Sequence, residues 1–187
     1  VLAAGTTPAL GHPLLPGVSG YPALMLHPLL ITPQALALIT AMLLIARSPA
    51  LSRWRTVLAF VAALGIGHIA QGMLPALFTY YWIAASALIA IAATLAAALD
   101  PVPPRLAFPA IVVLGAIIGL DTHGEGSGLW PRLQAVSAAG LASALLLLAA
   151  GFVGGYALPR PLRILARILG AWIAAATIMI LAFALKP

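Results

Sequence analysis

No Asp, Glu, Lys or Arg occurs between Arg55 and Asp100, and similar uncharged stretches recur over residues 24–46, 106–120, 133–159 and 168–185. Stretches of this kind suit helices that cross a bilayer, which need about 20 apolar residues each. The chain of 187 residues is 64% hydrophobic and 6% charged, with a mean hydropathy of +1.15. No water-soluble domain carries so little charge, so the sequence predicts an integral membrane protein with the lipid bilayer as its surroundings. Nine Lys and Arg stand against three acids. In a soluble chain that excess would suggest nucleic acid; this architecture excludes it, and the excess reads instead as basic residues gathered on the cytoplasmic side. The absence of cysteine excludes disulfides, iron–sulfur clusters and thiolate metal sites.

The expected fold is all-α: a polytopic membrane helix bundle of six transmembrane spans with a broken, re-entrant start to the first. The spans fall at about 24–46, 55–74, 81–99, 106–120, 130–156 and 162–185. Residues 1–23, rich in Gly and Pro, read as an irregular outer or interfacial segment, and residues 24–187 as one six-helix domain. Val1-Leu2-Ala3-Ala4 has the small residues a signal peptidase favours, so a cleaved signal peptide is expected upstream. The first span opens on His27-Pro28-Leu29-Leu30-Ile31-Thr32-Pro33-Gln34. Proline removes a backbone donor and clashes with the preceding turn. The backbone is therefore expected to break between Tyr21 and Thr32, with a regular helix resuming at Pro33 and Thr32 as its cap. Broken helices at membrane depth survive only where protein or a wet cavity satisfies the freed backbone groups. Gly115-x-x-x-Gly119 in the fourth span permits close helix packing, and Gly65 and Gly67 read as packing residues too.

Six spans place Arg47, Arg53, Arg55, Arg105, Arg160, Arg163 and Arg167 on one side, and Arg132 and Lys186 on the other. The positive-inside rule assigns the first set to the cytoplasm and both termini to the periplasm of a bacterial inner membrane. His12, His27, His68 and His123 then all map to the outer half, with Asp121, Glu125, Gln34 and Gln71. Neutral imidazole is a common ligand for nickel, zinc and copper, and carboxylates can complete such a site. The functional reading is an outward-facing divalent-metal site lined by His27, His68, His123 and Asp121. Simpler readings stand beside it. His68 can bond a neighbouring carbonyl, His27 can cap the broken backbone, His12 can be solvated, and Asp121 to Glu125 can be an ordinary polar loop. No Ser-His-Asp set, phosphate-binding glycine loop, paired acids within a span or bis-histidine haem pair is found, so the chain does not read as an enzyme.

The chain resembles the HupE/UreJ family, small membrane proteins associated with hydrogenase and urease systems and regarded as nickel or cobalt permeases. The resemblance rests on Gly11-His12-Pro13, on Leu26-His27-Pro28-Leu29 opening the first span, on the His-bearing loop Asp121–Gly128, and on Leu169-Gly170-Ala171-Trp172-Ile173-Ala174 in the last span. The family signature His-Pro-x-x-Gly-x-Asp-His matches at His27-Pro28, but Ile31 stands for the Gly and Pro33-Gln34 for Asp-His. The resemblance implies uptake or handling of a divalent metal such as nickel, cobalt or zinc. The competing expectation is a non-transporting accessory subunit, held through Ala- and Gly-rich helix faces to other membrane subunits of a larger respiratory or photosynthetic complex.

Overall fold

Pro33 has no N–H to offer the carbonyl of Leu29, and its ring would collide with that group in a continuous helix. The computed structural model, which describes residues 20–73, 78–122, 128–155 and 159–185, shows how the chain resolves this. Helix α1 (Tyr21–Leu30) stops, and Ile31 adopts an extended conformation at φ −88° and ψ 115°. Helix α2 (Thr32–Ala46) then departs at 80° to α1. The break is thus where the prolines place it, but two local expectations are corrected. Residues 21–30 are helical even though Pro28 lies within them; the proline falls near the end of α1, where it forfeits only the bond to Leu24. The cap of α2 is Ile31 rather than Thr32, with no side-chain cap hydrogen bond. Residues 1–19, including His12, lie outside the described residues.

Among the described residues five more helices follow: α3 (Arg53–Met73), α4 (Phe78–Ala98), α5 (Pro104–Leu120), α6 (Leu129–Gly155) and α7 (Arg160–Ala184). The architecture is all-helical. By length and apolarity, two of the described helices, α6 and α7, could each cross a membrane, or three elements could if the bent α1–α2 pair is one span. The sequence reads as six spans, whereas two or three of the described elements meet this measure. Helix α5, at 17 residues, is short. Helix α3 has 21 residues, about 31 Å at 1.5 Å each, but carries Arg53, Trp54 and Arg55 at one end and His68 and Gln71 at the other.

Helix α2 is the centre of the bundle. It packs against α4, α5, α6 and α7 as well as α1, and α1 also lies on α6. Ala37, Leu38, Ala41 and Leu44 of α2 are wholly enclosed, alongside Phe60 of α3, Ala93 of α4 and Ile111 of α5. Helices α3 and α5 approach backbone to backbone. A Cβ on Gly67 would strike the carbonyl of Ala116, one on Gly115 that of Phe60, and one on Gly119 that of Leu64. Gly154 of α6 sits in the same way against Ala46 of α2, and Gly170 of α7 lies in tight contact with Ala93 and Ala97 of α4. These small-residue faces are therefore filled by the chain's own helices. Gly65, by contrast, faces open space.

Helices α2 to α7 alternate in direction. The C-termini of α2, α4 and α6 and the N-termini of α3, α5 and α7 meet at a basic end, where Val102 N–H donates to Arg47 O at 2.9 Å and Arg53 lies 5.0 Å over the Phe152 ring. Arg47, Arg53, Arg55, Arg105, Arg160, Arg163 and Arg167 all belong to elements that end or begin there. Gln34, His68, Tyr81 and Asp121 lie at the opposite end. Replacing Gly119 with alanine is expected to force α3 from α5 and lower stability by about 1–3 kcal/mol. Gly65→Ala is expected to be neutral or stabilising by up to about 1 kcal/mol. Thermal or denaturant unfolding of both variants in detergent checks this pair.

Candidate functional site

Helix α5 ends in a tight turn that folds its last polar residues inward. Asp121 N–H reaches Ile118 O at 3.2 Å, and Thr122 N–H reaches Gly119 O at 3.2 Å. The Thr122 hydroxyl donates to Ile118 O at 2.7 Å. Asp121 is left 7% exposed and Thr122 2%. A carboxylate so deeply placed needs donors, since an unmatched buried charge is costly. Gln34, in the first turn of α2, supplies them. Its Nε2 donates to Asp121 Oδ2 at 2.7 Å and to Asp121 O at 3.0 Å. Both of those atoms act as acceptors when the carboxyl is ionised, which fixes the amide's orientation. Gln34 is itself 1% exposed, and its Oε1 is enclosed with no hydrogen-bond partner among the described residues. The site thus contains a buried acceptor suited to water, an N–H group or a cation.

His68 reaches the same turn from α3. Its neighbour Gly67 lets α3 rest on the backbone of α5 at Ala116, and this brings His68 Nδ1 to 2.9 Å from Thr122 O. A carbonyl only accepts, so Nδ1 carries the hydrogen and Nε2 keeps its lone pair in the neutral ring. The simple reading of His68, a histidine satisfying a carbonyl, is therefore correct as far as it goes. It is also the way metal-bound imidazoles are usually oriented, with the distal nitrogen held by a backbone oxygen. Tyr81 of α4 completes the gathering: its hydroxyl donates to Ile117 O at 2.5 Å, one turn before Asp121. Four helices, α2 to α5, thus converge on residues 117–122.

The structure therefore brings Asp121 and His68 to one turn and adds Gln34, Tyr81 and Thr122. His27 is half-buried on α1, which packs on α6 and α2, and its carbonyl accepts the Ile31 N–H at 3.2 Å. His123 and Glu125 lie outside the described residues. Among the described residues no three His, Asp or Glu side chains form a set that could hold a metal ion, so His27 does not join His68 and Asp121 in one. Sequence reasoning placed Gln34 at the family's His position but did not find its partner. The signal available for Gln34 was its polarity inside an apolar helix; nothing in one sequence pairs it with a residue 87 positions away.

No protein-family model matches this chain, and no match to it was found among curated proteins or among solved structures.

Gln34→Leu removes both donors that Asp121 receives from α2. The expected outcome is a loss of about 1–3 kcal/mol in stability, measured by unfolding in detergent. Gln34→Glu tests the same contact by charge: two facing carboxylates are expected to make the protein's thermal stability respond to added divalent cation more than wild type does.

Proposed function

We propose that this protein is a HupE/UreJ-like permease of a bacterial inner membrane, taking up or handling a divalent metal ion of the nickel, cobalt or zinc class from its polar end. In this reading the bent α1–α2 pair and helices α3 to α7 make six crossings. The basic end faces the cytoplasm, and both termini face the periplasm. The observation that carries the proposal is the arrangement at the end of α5. The Nδ1–H of His68 is held by Thr122 O, leaving Nε2 as a lone-pair donor beside the turn that buries Asp121. His68 and Asp121 are the proposed primary ligands. His27, and His123 two residues beyond Asp121 in the chain, are proposed as ligands met on the way in. Gln34, standing for the family's imidazole, offers a hard amide oxygen and occupies part of the Asp121 carboxylate. That combination favours weak, exchangeable binding, which conduction requires.

The test is direct binding of Ni²⁺, Co²⁺ and Zn²⁺ to the purified full chain by calorimetry. The expected result is saturable binding that weakens at least about tenfold in a His68→Ala/Asp121→Asn double variant, in line with the effect of disturbing ligands and their supports. Binding that is unchanged in the double variant, or absent from the wild type, overturns the proposal. A second reading, a non-transporting accessory subunit, is favoured by α7. That helix buries one face on α4 and leaves Ile164, Leu165, Trp172, Met179 and Phe183 exposed. Metal-free protein that co-purifies with a larger membrane complex at fixed stoichiometry is the result expected from that reading.

A further inference from the structure

The basic end contains a second polar site, built around a buried arginine. Arg47, the residue that ends α2, is 3% exposed. Its Nη1 donates to the carbonyl of Ala96. Its Nη2 lies 3.4 Å from Asp100 Oδ2, yet neither Nη2 nor Nε has a hydrogen-bond partner among the described residues. A guanidinium carries five N–H donors, and leaving them unmatched in an enclosed place is costly. Arg47 lines a cavity of about 400 Å³, together with Ala46, Pro49, Asp100, Gly154, Gly155 and Arg163.

Every charge around this cavity has been placed by the fold. Arg163 is exposed in the first turn of α7, a turn with no acidic residue. The Arg53 side chain lies against Gly155, so tightly that a Cβ there would strike the guanidinium. Asp100 supplies one negative charge against the positive charges of Arg47, Arg163 and Arg53. Helix α7 begins beside the cavity, and a helix N-terminus adds further positive potential. The volume lies within the range of small-ligand sites. Arginine pairs well with phosphate because its planar fork meets two oxygens at once.

We propose that this cavity is a binding site for a phosphate-bearing anion, with Arg47 as the buried anchor and Arg163 at the rim. The same chemistry is available from an anionic phospholipid headgroup at the cytoplasmic surface and from free inorganic phosphate. The lipid is the source that the location favours, since basic pockets between helices at that surface suit anionic headgroups. The site is independent of the metal reading: it uses none of the same residues and lies at the opposite end of α2.

The test uses the purified full chain in a neutral detergent, titrated with short-chain phosphatidylglycerol, with phosphatidylcholine and with inorganic phosphate, and read by native mass spectrometry. Phosphatidylglycerol is expected to bind at least about tenfold more tightly than phosphatidylcholine, and Arg163→Gln to weaken it by about tenfold, the equivalent of one charge-assisted contact. Arg132→Gln, at the opposite end, is expected to leave binding unchanged. Arg47→Gln is the stronger variant, but it removes a core contact; Arg163→Gln, on an exposed residue, keeps the test open if Arg47→Gln does not fold. Displacement of the lipid by inorganic phosphate, or binding of phosphate alone, supports the site and assigns the free anion. Lipid binding that phosphate does not disturb supports it and assigns the headgroup. Equal binding of the two lipids with no binding of phosphate, or equal losses in Arg163→Gln and Arg132→Gln, overturns it.

Discussion

The contact on which the polar end depends is the backbone approach of α3 to α5 across Gly67, Gly115 and Gly119. With side chains at those positions the two helices would separate by the thickness of a methyl layer or more. His68 follows Gly67 directly, and Asp121 and Thr122 follow Gly119 by two and three residues. The same closeness that packs the helices therefore sets the 2.9 Å contact between His68 and Thr122 O. In a bilayer the hydrophobic effect contributes little between helices, so dispersion at such close seams is a principal source of association. The glycines serve packing, and the geometry of the histidine is a consequence of it.

Helix α2 joins the two polar regions. It is 15 residues long, about 22 Å, and holds Gln34 near its start and Arg47 just past its end. Both side chains are almost wholly enclosed, at 1% and 3% exposure. Between them the helix presents Ala37, Leu38, Ala41 and Leu44 to its neighbours. A central helix with small and medium residues on every side can be surrounded by five others. Its two polar ends then have to be satisfied inside the protein, by Asp121 at one end and by Ala96 and Asp100 at the other.

Much of this framework is legible in the sequence, because membrane-like helices announce themselves as apolar stretches bounded by Pro and Arg. The observed helices 53–73, 104–120 and 129–155 begin and end close to the spans read from composition. The break before Pro33 follows from the chemistry of proline, and the Gly115–Gly119 seam from spacing. What the sequence hides is pairing. Arg47 reads as an ordinary loop cation on the cytoplasmic side, and only the fold shows that it is enclosed against α4. Gln34 reads as a lost ligand, and only the fold shows that its amide lies on Asp121. The backbone reads as broken between Tyr21 and Thr32 because Pro28 weighs against a helix, yet a proline close to a helix end costs a single bond. The number of crossings departs from the sequence reading: two or three of the described elements are long and apolar enough, where six spans are read from composition.

The two polar regions differ in sign for a reason that lies in helix direction. A helix is effectively positive at its N-terminus and negative at its C-terminus. Arg47 closes the C-terminus of α2, where a cation is favoured, beside a cavity that Arg163 of α7 also lines. Asp121 closes the C-terminus of α5, where a carboxylate is disfavoured. It is held there by the amide of Gln34, at the N-terminal turn of α2, where negative charge is favoured. A carboxylate at a negative helix end, beside an unmatched amide oxygen and an imidazole lone pair, is an environment that a cation improves. In the proposed readings one end of the bundle takes a positive ligand and the other a negative one, with α2 as the common element between them.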